Sequence, residues 1–239
     1  MAAPLVEGFD SLREVFADRR RKTTRTLSVV APAPMLSGAL REPIIQFREA
    51  HPSVKLTLID QRSRTARQVI ENAGADIAII GVAAGDAPLP QFEMWPLAWY
   101  PFHLLCQKSH PLAKVRRITL SEIVKHPLVL SPADSSSHRQ VRHVFEQAGL
   151  AERMNVTMSA TQRGLLLSYV TIGFGIAIGT SAASVKLSKP VDGEVELFMR
   201  DVTSLLGQEE VFLIRRKGRH DLPHVRVFRE MMLRSFGKG

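Results

Sequence analysis

The chain has 239 residues, 45% hydrophobic and 23% charged, with a formal net charge of +9. That composition is globular, with length for one large domain or two small ones. It excludes a bilayer span, since no apolar run reaches the ~18–20 residues that one requires, and its single cysteine, Cys106, excludes an internal disulfide framework and suits a reducing cytoplasm.

Residues 4–22 read as an amphipathic helix, with Leu5, Phe9, Leu12, Val15 and Phe16 at three- and four-residue steps. Glu7, Asp10 and Glu14 interrupt the place where the apolar core of a signal peptide would sit. The helix ends in a basic run, Arg19 to Arg25, where cations suit the negative end of the helix dipole.

A pattern then appears twice. Strand Leu27–Val30, helix Leu36–Ala50, strand Val54–Ile59, helix Ser63–Asn72 closed by Gly74, and strand Ala75–Gly81 give the order β-α-β-α-β. The last of these is apolar on both faces, as a buried parallel strand should be. The second pass runs through strand His126–Ser131, helix Ser136–Ala148 closed by Gly149, strand Asn155–Ser159, a helix closed by Gly173, and the strand "GIAIG". Two such passes predict an α/β protein of two doubly wound, Rossmann-like lobes. The stretch Phe92–Ala113 carries the chain from lobe one to lobe two, Glu210–Gly218 carries it back, and a final helix, Pro223–Phe236, returns to lobe one. The predicted organisation is a joint at 1–26, lobe one at 27–106 and 209–239, and lobe two at 107–208. Ligands in open α/β sheets bind beyond the carboxyl ends of the strands, so a cleft between the lobes is the expected site.

The catalytic and metal motifs fail on order and spacing. "GFGIAIG" (Gly173–Gly179) has glycines after a helix and before a strand, the reverse of a dinucleotide fingerprint, and reads as a helix end and tight turn. His220 and His224 are interrupted by Pro223, and His138 and His143 stand on different sides of a helix, so no metal set is assembled. No nucleophile elbow or P-loop is present. No cofactor is expected, and neither metal ligands nor catalytic residues are assigned.

The net positive charge favours anionic partners, and aromatic residues, 6% of the chain, are too scarce for single-strand stacking. Four strand-end loops offer hydrogen-bonding groups for a small molecule: "APAPMLSG", where Ser37 can stand near a helix start; "DQRSR", where Arg62 or Arg64 can meet a carboxylate with a bidentate fork; "SPADSSSHR", where Asp134, Ser135 or Ser136 can cap a helix; and "SATQRG", with Thr161 and Gln162.

Taken in order, "LREPIIQFREAHPSVKLTL", "ADIAIIG", "WPLAWYPFHLLCQKSHPLA" and "GFGIAIG" resemble the effector-binding domain of LysR-type transcriptional regulators. The resemblance covers nearly the whole chain. It implies two lobes of the type II periplasmic-binding fold, a small-molecule effector in the cleft, and self-association as a dimer or tetramer. It also implies no membrane partner, a cytoplasmic location, and DNA contact only through a winged helix-turn-helix module that this chain does not contain. Residues 4–22 resemble the end of the family's linker helix. The resemblance places effector contacts at Ala33, Pro34 and Met35, at Arg62 and Ser63, and at Asp134, Ser135, Ser136 and Thr161. Relatives often carry Ser or Thr where this chain has "APAPM", so a simple inorganic anion is not expected and a partly apolar, carboxylate-bearing organic ligand is. The alternatives are a solute-binding transport protein of the same fold and an enzyme using the cleft.

Overall fold

A computed structural model of the protein describes residues 25–180 and 195–237; the helix predicted at 4–22 and most of its basic run lie outside them. Within these residues the chain divides into two units. The first holds residues up to Ile80, Pro88–Ala98 and Val211 onward; the second holds Gly81–Ala87 and Trp99–Glu210.

In the first unit, β1 (Arg25–Ala31) lies between β2 (Val54–Asp60) and β3 (Ile77–Val82), parallel to both. β1 begins at Arg25, so this arginine opens a strand rather than closing the basic joint. As the central strand it buries Leu27, Val29, Val30 and Ala31 completely, and β3 is equally apolar, with Ile77, Ala78, Ile79 and Ile80 at 0% exposure. The single helix predicted over Leu36–Ala50 is two: α1 (Ala33–Ser37) and α2 (Arg41–Ala50). Gly38 stands at the break as the cap of α1, where a side chain would lie 2.7 Å from the Pro34 carbonyl oxygen. Pro43, which has no N–H to donate, falls in the first turn of α2, where that loss costs nothing.

Helix α3 (Ser63–Glu71) follows β2. Its end corrects the sequence reading. The residue in the left-handed region is Ala73 (φ 55°), not Gly74. Ala73 N–H donates to the Ile70 carbonyl at 3.1 Å and Gly74 N–H to the Val69 carbonyl at 2.8 Å, a Schellman closure built on an alanine.

Two long strands link the units. β4 (Phe92–Gln107) passes from the first into the second, and after several further elements β9 (Gln208–Arg216) returns. Between them in sequence lie α4 (Pro111–Lys114) and α5 (Leu120–Ile123), then β5 (Leu128–Leu130), α6 (Ser136–Gln147), β6 (Val156–Ser159), α7 (Arg163–Thr171), β7 (Ile176–Thr180), β8 (Leu197–Asp201) and α8 (Thr203–Leu206). β5 is central, parallel to β6 on one side and β7 on the other. β7 pairs antiparallel with Phe102–Leu105 of β4, and β8 pairs antiparallel with His103–Gln107. Phe102, Leu104, Leu128, Phe145, Ile176 and Ile178 form the centre of this unit's core.

The strand order β6-β5-β7 repeats the order β2-β1-β3 of the first unit, so the two passes read in the sequence are two parallel, doubly wound sheets. Gly149 (φ 68°) and Gly173 (φ 86°) close α6 and α7 as predicted. The "GFGIAIG" glycines therefore end a helix and enter β7. The C-terminal helix α9 (Pro223–Phe236) packs on α2 and β1. Phe228 meets Phe47 edge-on at 5.1 Å, and His224 Nε2 lies 2.8 Å from the Thr26 carbonyl oxygen.

The sequence placed the changes of lobe near 106 and 208; the compact units change at 98/99 and 210/211. β4 is one continuous strand, and hydrophobicity does not mark where along it the neighbours change. The excursion Gly81–Ala87 has a clear cause: α6 grips it. Along one face of α6, at steps of three and four residues, Arg139 binds Asp86 through two hydrogen bonds of 2.8 Å. Gln140 Oε1 accepts from Ala84 N at 2.6 Å, and the His143 ring sits against Gly85 so closely that a methyl there would lie 2.6 Å from Nδ1.

Candidate functional site

The candidate residues gather at the carboxyl ends of the parallel strands in each unit, where the edges of α/β sheets receive ligands. In the first unit β1 and β2 end together, with Ala31 opposite Asp60, and Gln61 N donates to the Ala31 carbonyl at 3.2 Å. The next residues are Pro32, which caps α1, and Arg62, which stands at the cap of α3. Ala33, Pro34 and Arg62 are exposed, Met35 is half-buried, and Ser63 is buried. Ala33 N donates to Asp60 Oδ1 at 2.8 Å. Ser37 is not at a helix start: it ends α1, and its hydroxyl donates to the Ala33 carbonyl at 2.8 Å, because the Gly38 break takes the following helix start to Arg41.

In the second unit the loop after β5 winds into α6. Ser135 is the N-cap, accepting from His138 N at 3.2 Å, one of the three caps that the spacing allowed. His138 Nδ1 lies 2.7 Å from the Ser131 carbonyl, and the Asp134 carbonyl accepts from Arg139 Nη1 at 2.6 Å. After β6, Ala160 N donates to the Leu130 carbonyl at 3.1 Å. Thr161 and Gln162 are exposed at the start of α7, and partial burial lowers the pKa of the Arg163 guanidinium beside them.

The residue that sequence reading missed is Glu209. It is 9% exposed. The Ser136 hydroxyl donates to its Oε1, and the Thr180 hydroxyl donates to Oε2 at 2.6 Å. Thr180 ends β7 and Ser136 begins α6, so this carboxylate stands at the carboxyl edge of the sheet. Gly81 makes room for it, since a methyl there would overlap the Ser136 hydroxyl and lie 2.5 Å from Glu209 Oε1. Burial, and then the charge of Glu209, raise the pKa of the Tyr100 phenol. One signal was available: Glu209 shares the inward face of β9 with Val211 and Leu213, in a burial alternation that leaves Glu210 outside. The structure thus brings Asp134, Ser135, Ser136 and Thr161 to the strand ends of one unit, and Ala33, Pro34, Met35, Arg62 and Ser63 to those of the other.

Cys106, fully buried, has its thiol pKa pushed up to about 11, by burial against the opposing effect of Arg200. It is a core residue with no nucleophilic character at neutral pH.

Residues 20–237 match the family model for the LysR substrate binding domain. The chain belongs to this family. Over 211 residues this LysR domain is 26% identical to the HTH-type transcriptional regulator cbl of Escherichia coli (strain K12), spanning 87% of the chain and 63% of that protein. It is 23% identical over 218 residues to the regulator CysB of Haemophilus influenzae, 89% of the chain and 65% of that protein. The chain thus spans just under two thirds of the length of these relatives. Among solved structures, the cofactor-binding domain of the Cbl transcriptional regulator superposes with a TM-score of 0.74 at 25% identity, covering 88% of both chains. The effector binding domain of QuiR in complex with shikimate superposes with a TM-score of 0.75 at 15% identity, covering 90% of this chain and 99% of that one. The LysR domain has the type II periplasmic-binding-like fold.

Proposed function

We propose that this LysR domain is the effector-sensing part of a transcriptional regulator, and that it binds a small organic, carboxylate-bearing molecule at its strand-end loops to modulate DNA binding by the intact protein. The observation that carries this reading is the gathering of polar strand-end loops in each unit, on a fold whose relatives are regulators. Arg62 supplies charge for a carboxylate, Pro34 and Met35 supply apolar contact, and the loops of Asp134–Ser136 and Thr161 supply hydrogen-bonding groups. The role is binding rather than catalysis. Family membership favours sensing over the solute-transport alternative.

The regulator acts in the cytoplasm as a dimer or tetramer, and touches DNA through its separate helix-turn-helix module. Ile45 on α2 and Leu58 on β2, the edge strand of its sheet, are 39% and 45% exposed and are the apolar groups we assign to self-association. The residues 139–149 of α6 and its end offer less to self-association, since Arg139, Gln140 and His143 are committed to the Gly81–Ala87 segment.

A thermal-shift screen of organic acids, followed by titration of any hit into Arg62→Ala, tests the reading. Loss of a charged hydrogen bond to the carboxylate should weaken binding about ten- to a hundred-fold, on the order of 1.5–3 kcal/mol. A hit that binds Arg62→Ala and Ser136→Ala as well as the parent chain contradicts this placement of the site.

A further inference from the structure

We propose that Glu209 is a specificity-determining residue of the second unit: its carboxylate occupies the anion seat between Ser136 and Thr180, so the effector meets this unit with a hydroxyl or ammonium group and not with its own carboxylate. The inference rests on the effector-sensing reading above and narrows it from organic acids in general to hydroxy acids and amino acids.

The start of α6 is where a ligand carboxylate would otherwise settle, since hydroxyl and N–H donors converge there. The Ser136 and Thr180 hydroxyls already donate their hydrogens, though their oxygens can still accept. Ser136 donates to one oxygen of Glu209 and Thr180 to the other. A second carboxylate brought against the first would meet like-charge repulsion at close range. A donor meets the opposite situation. An ionised carboxylate can accept about four hydrogen bonds, so each oxygen of Glu209 has capacity left after its hydroxyl partner. Glu209 is enclosed without being sealed, at 9% exposure, and Gly81, which has no side chain to shield it, lies against it.

The first unit repeats the logic in part. Asp60 accepts from the Ala33 N–H, and Arg62, at the cap of α3, is the cation that the reading above assigns to the effector's carboxylate. An acidic group together with at least one donor group describes a hydroxy acid or an amino acid.

The test uses probes that require no knowledge of the effector. Thermal melting of the parent chain, Glu209→Gln and Glu209→Ala is followed at constant ionic strength in sodium acetate and in methylammonium chloride. The parent chain should be stabilised by methylammonium and not by acetate. Glu209→Gln, which keeps the shape without the charge, should lose the methylammonium response. Glu209→Ala, which empties the seat, should bind acetate about tenfold more tightly than the parent chain does. Equal responses of the parent chain and Glu209→Gln to methylammonium, absent responses included, would overturn the proposal. So would equal responses of the parent chain and Glu209→Ala to acetate. Because the effector is not used, failure here leaves the Arg62 titration as a separate test of the sensing function.

Discussion

At the scale of single residues, the clearest strain is at Ala73. The Schellman closures of α6 and α7 put glycine in the left-handed position, at Gly149 and Gly173, whereas α3 puts an alanine there. A Cβ in that region costs about 1–2 kcal/mol, partly offset by the greater entropy that glycine loses on folding. Ala73→Gly should therefore stabilise the protein by about 0.5–1 kcal/mol, read as a higher urea midpoint at unchanged slope. A lower midpoint would show that the backbone at this turn is not held as described. The sequence pointed at Gly74 because glycine is the usual occupant. Which of two neighbouring residues takes the positive φ depends on where the last helical hydrogen bond falls, and periodicity locates that only to within a residue or two.

At the scale of elements, most of the architecture was legible. Both β-α-β-α-β passes, the end of α7 at Gly173 and the helix Pro223–Phe236 could be read from apolar runs bounded by glycine and proline. The split of α1 from α2 was not, because Leu36, Leu40, Ile44 and Phe47 keep helical spacing across the break at Gly38. β8 was also missed, since its five residues, "LFMRD", are only half-buried along most of their length. The candidate loops were found from their position after strands, whereas Glu209 was not, because its partners Ser136 and Thr180 are 73 and 29 residues away. The grip of α6 on the Gly81–Ala87 segment is equally non-local. Arg139→Met should cost about 1.5–3 kcal/mol by leaving Asp86, with 9% of its side chain exposed, without its charged partner. Protease cleavage near Asp86 should rise in that variant, and unchanged stability and cleavage would show the pair to be ornamental.

A second element carries a pH dependence. His110 caps α4 by accepting from Leu112 N at 3.2 Å through Nδ1, and its ring stands 4.5 Å from that of His126. Burial and then the charge of His126 lower its pKa below 6.5. Between the lowered value and 6.5 the unfolded chain binds more protons than the folded one. This contribution to stability is therefore present above pH 6.5 and is lost as pH falls through the folded value. His110→Asn keeps a capping side chain and removes the titration. Its urea stability should decline less than the parent chain's between neutral and mildly acidic pH, and an identical decline would show that His110 does not carry the dependence.

At the scale of the whole molecule, one proposal is central: the strand-end loops are where the effector binds. Charge alone does not lead to this proposal, since a net charge of +9 suits DNA and small anions alike. Hydrogen–deuterium exchange, with and without a saturating hit from the organic-acid screen, tests the claim most directly. It reads each loop separately and does not depend on any one side chain. Exchange should slow in the loops of residues 32–37, 61–64, 131–138 or 160–163. Protection lying wholly outside these four loops would contradict the proposal.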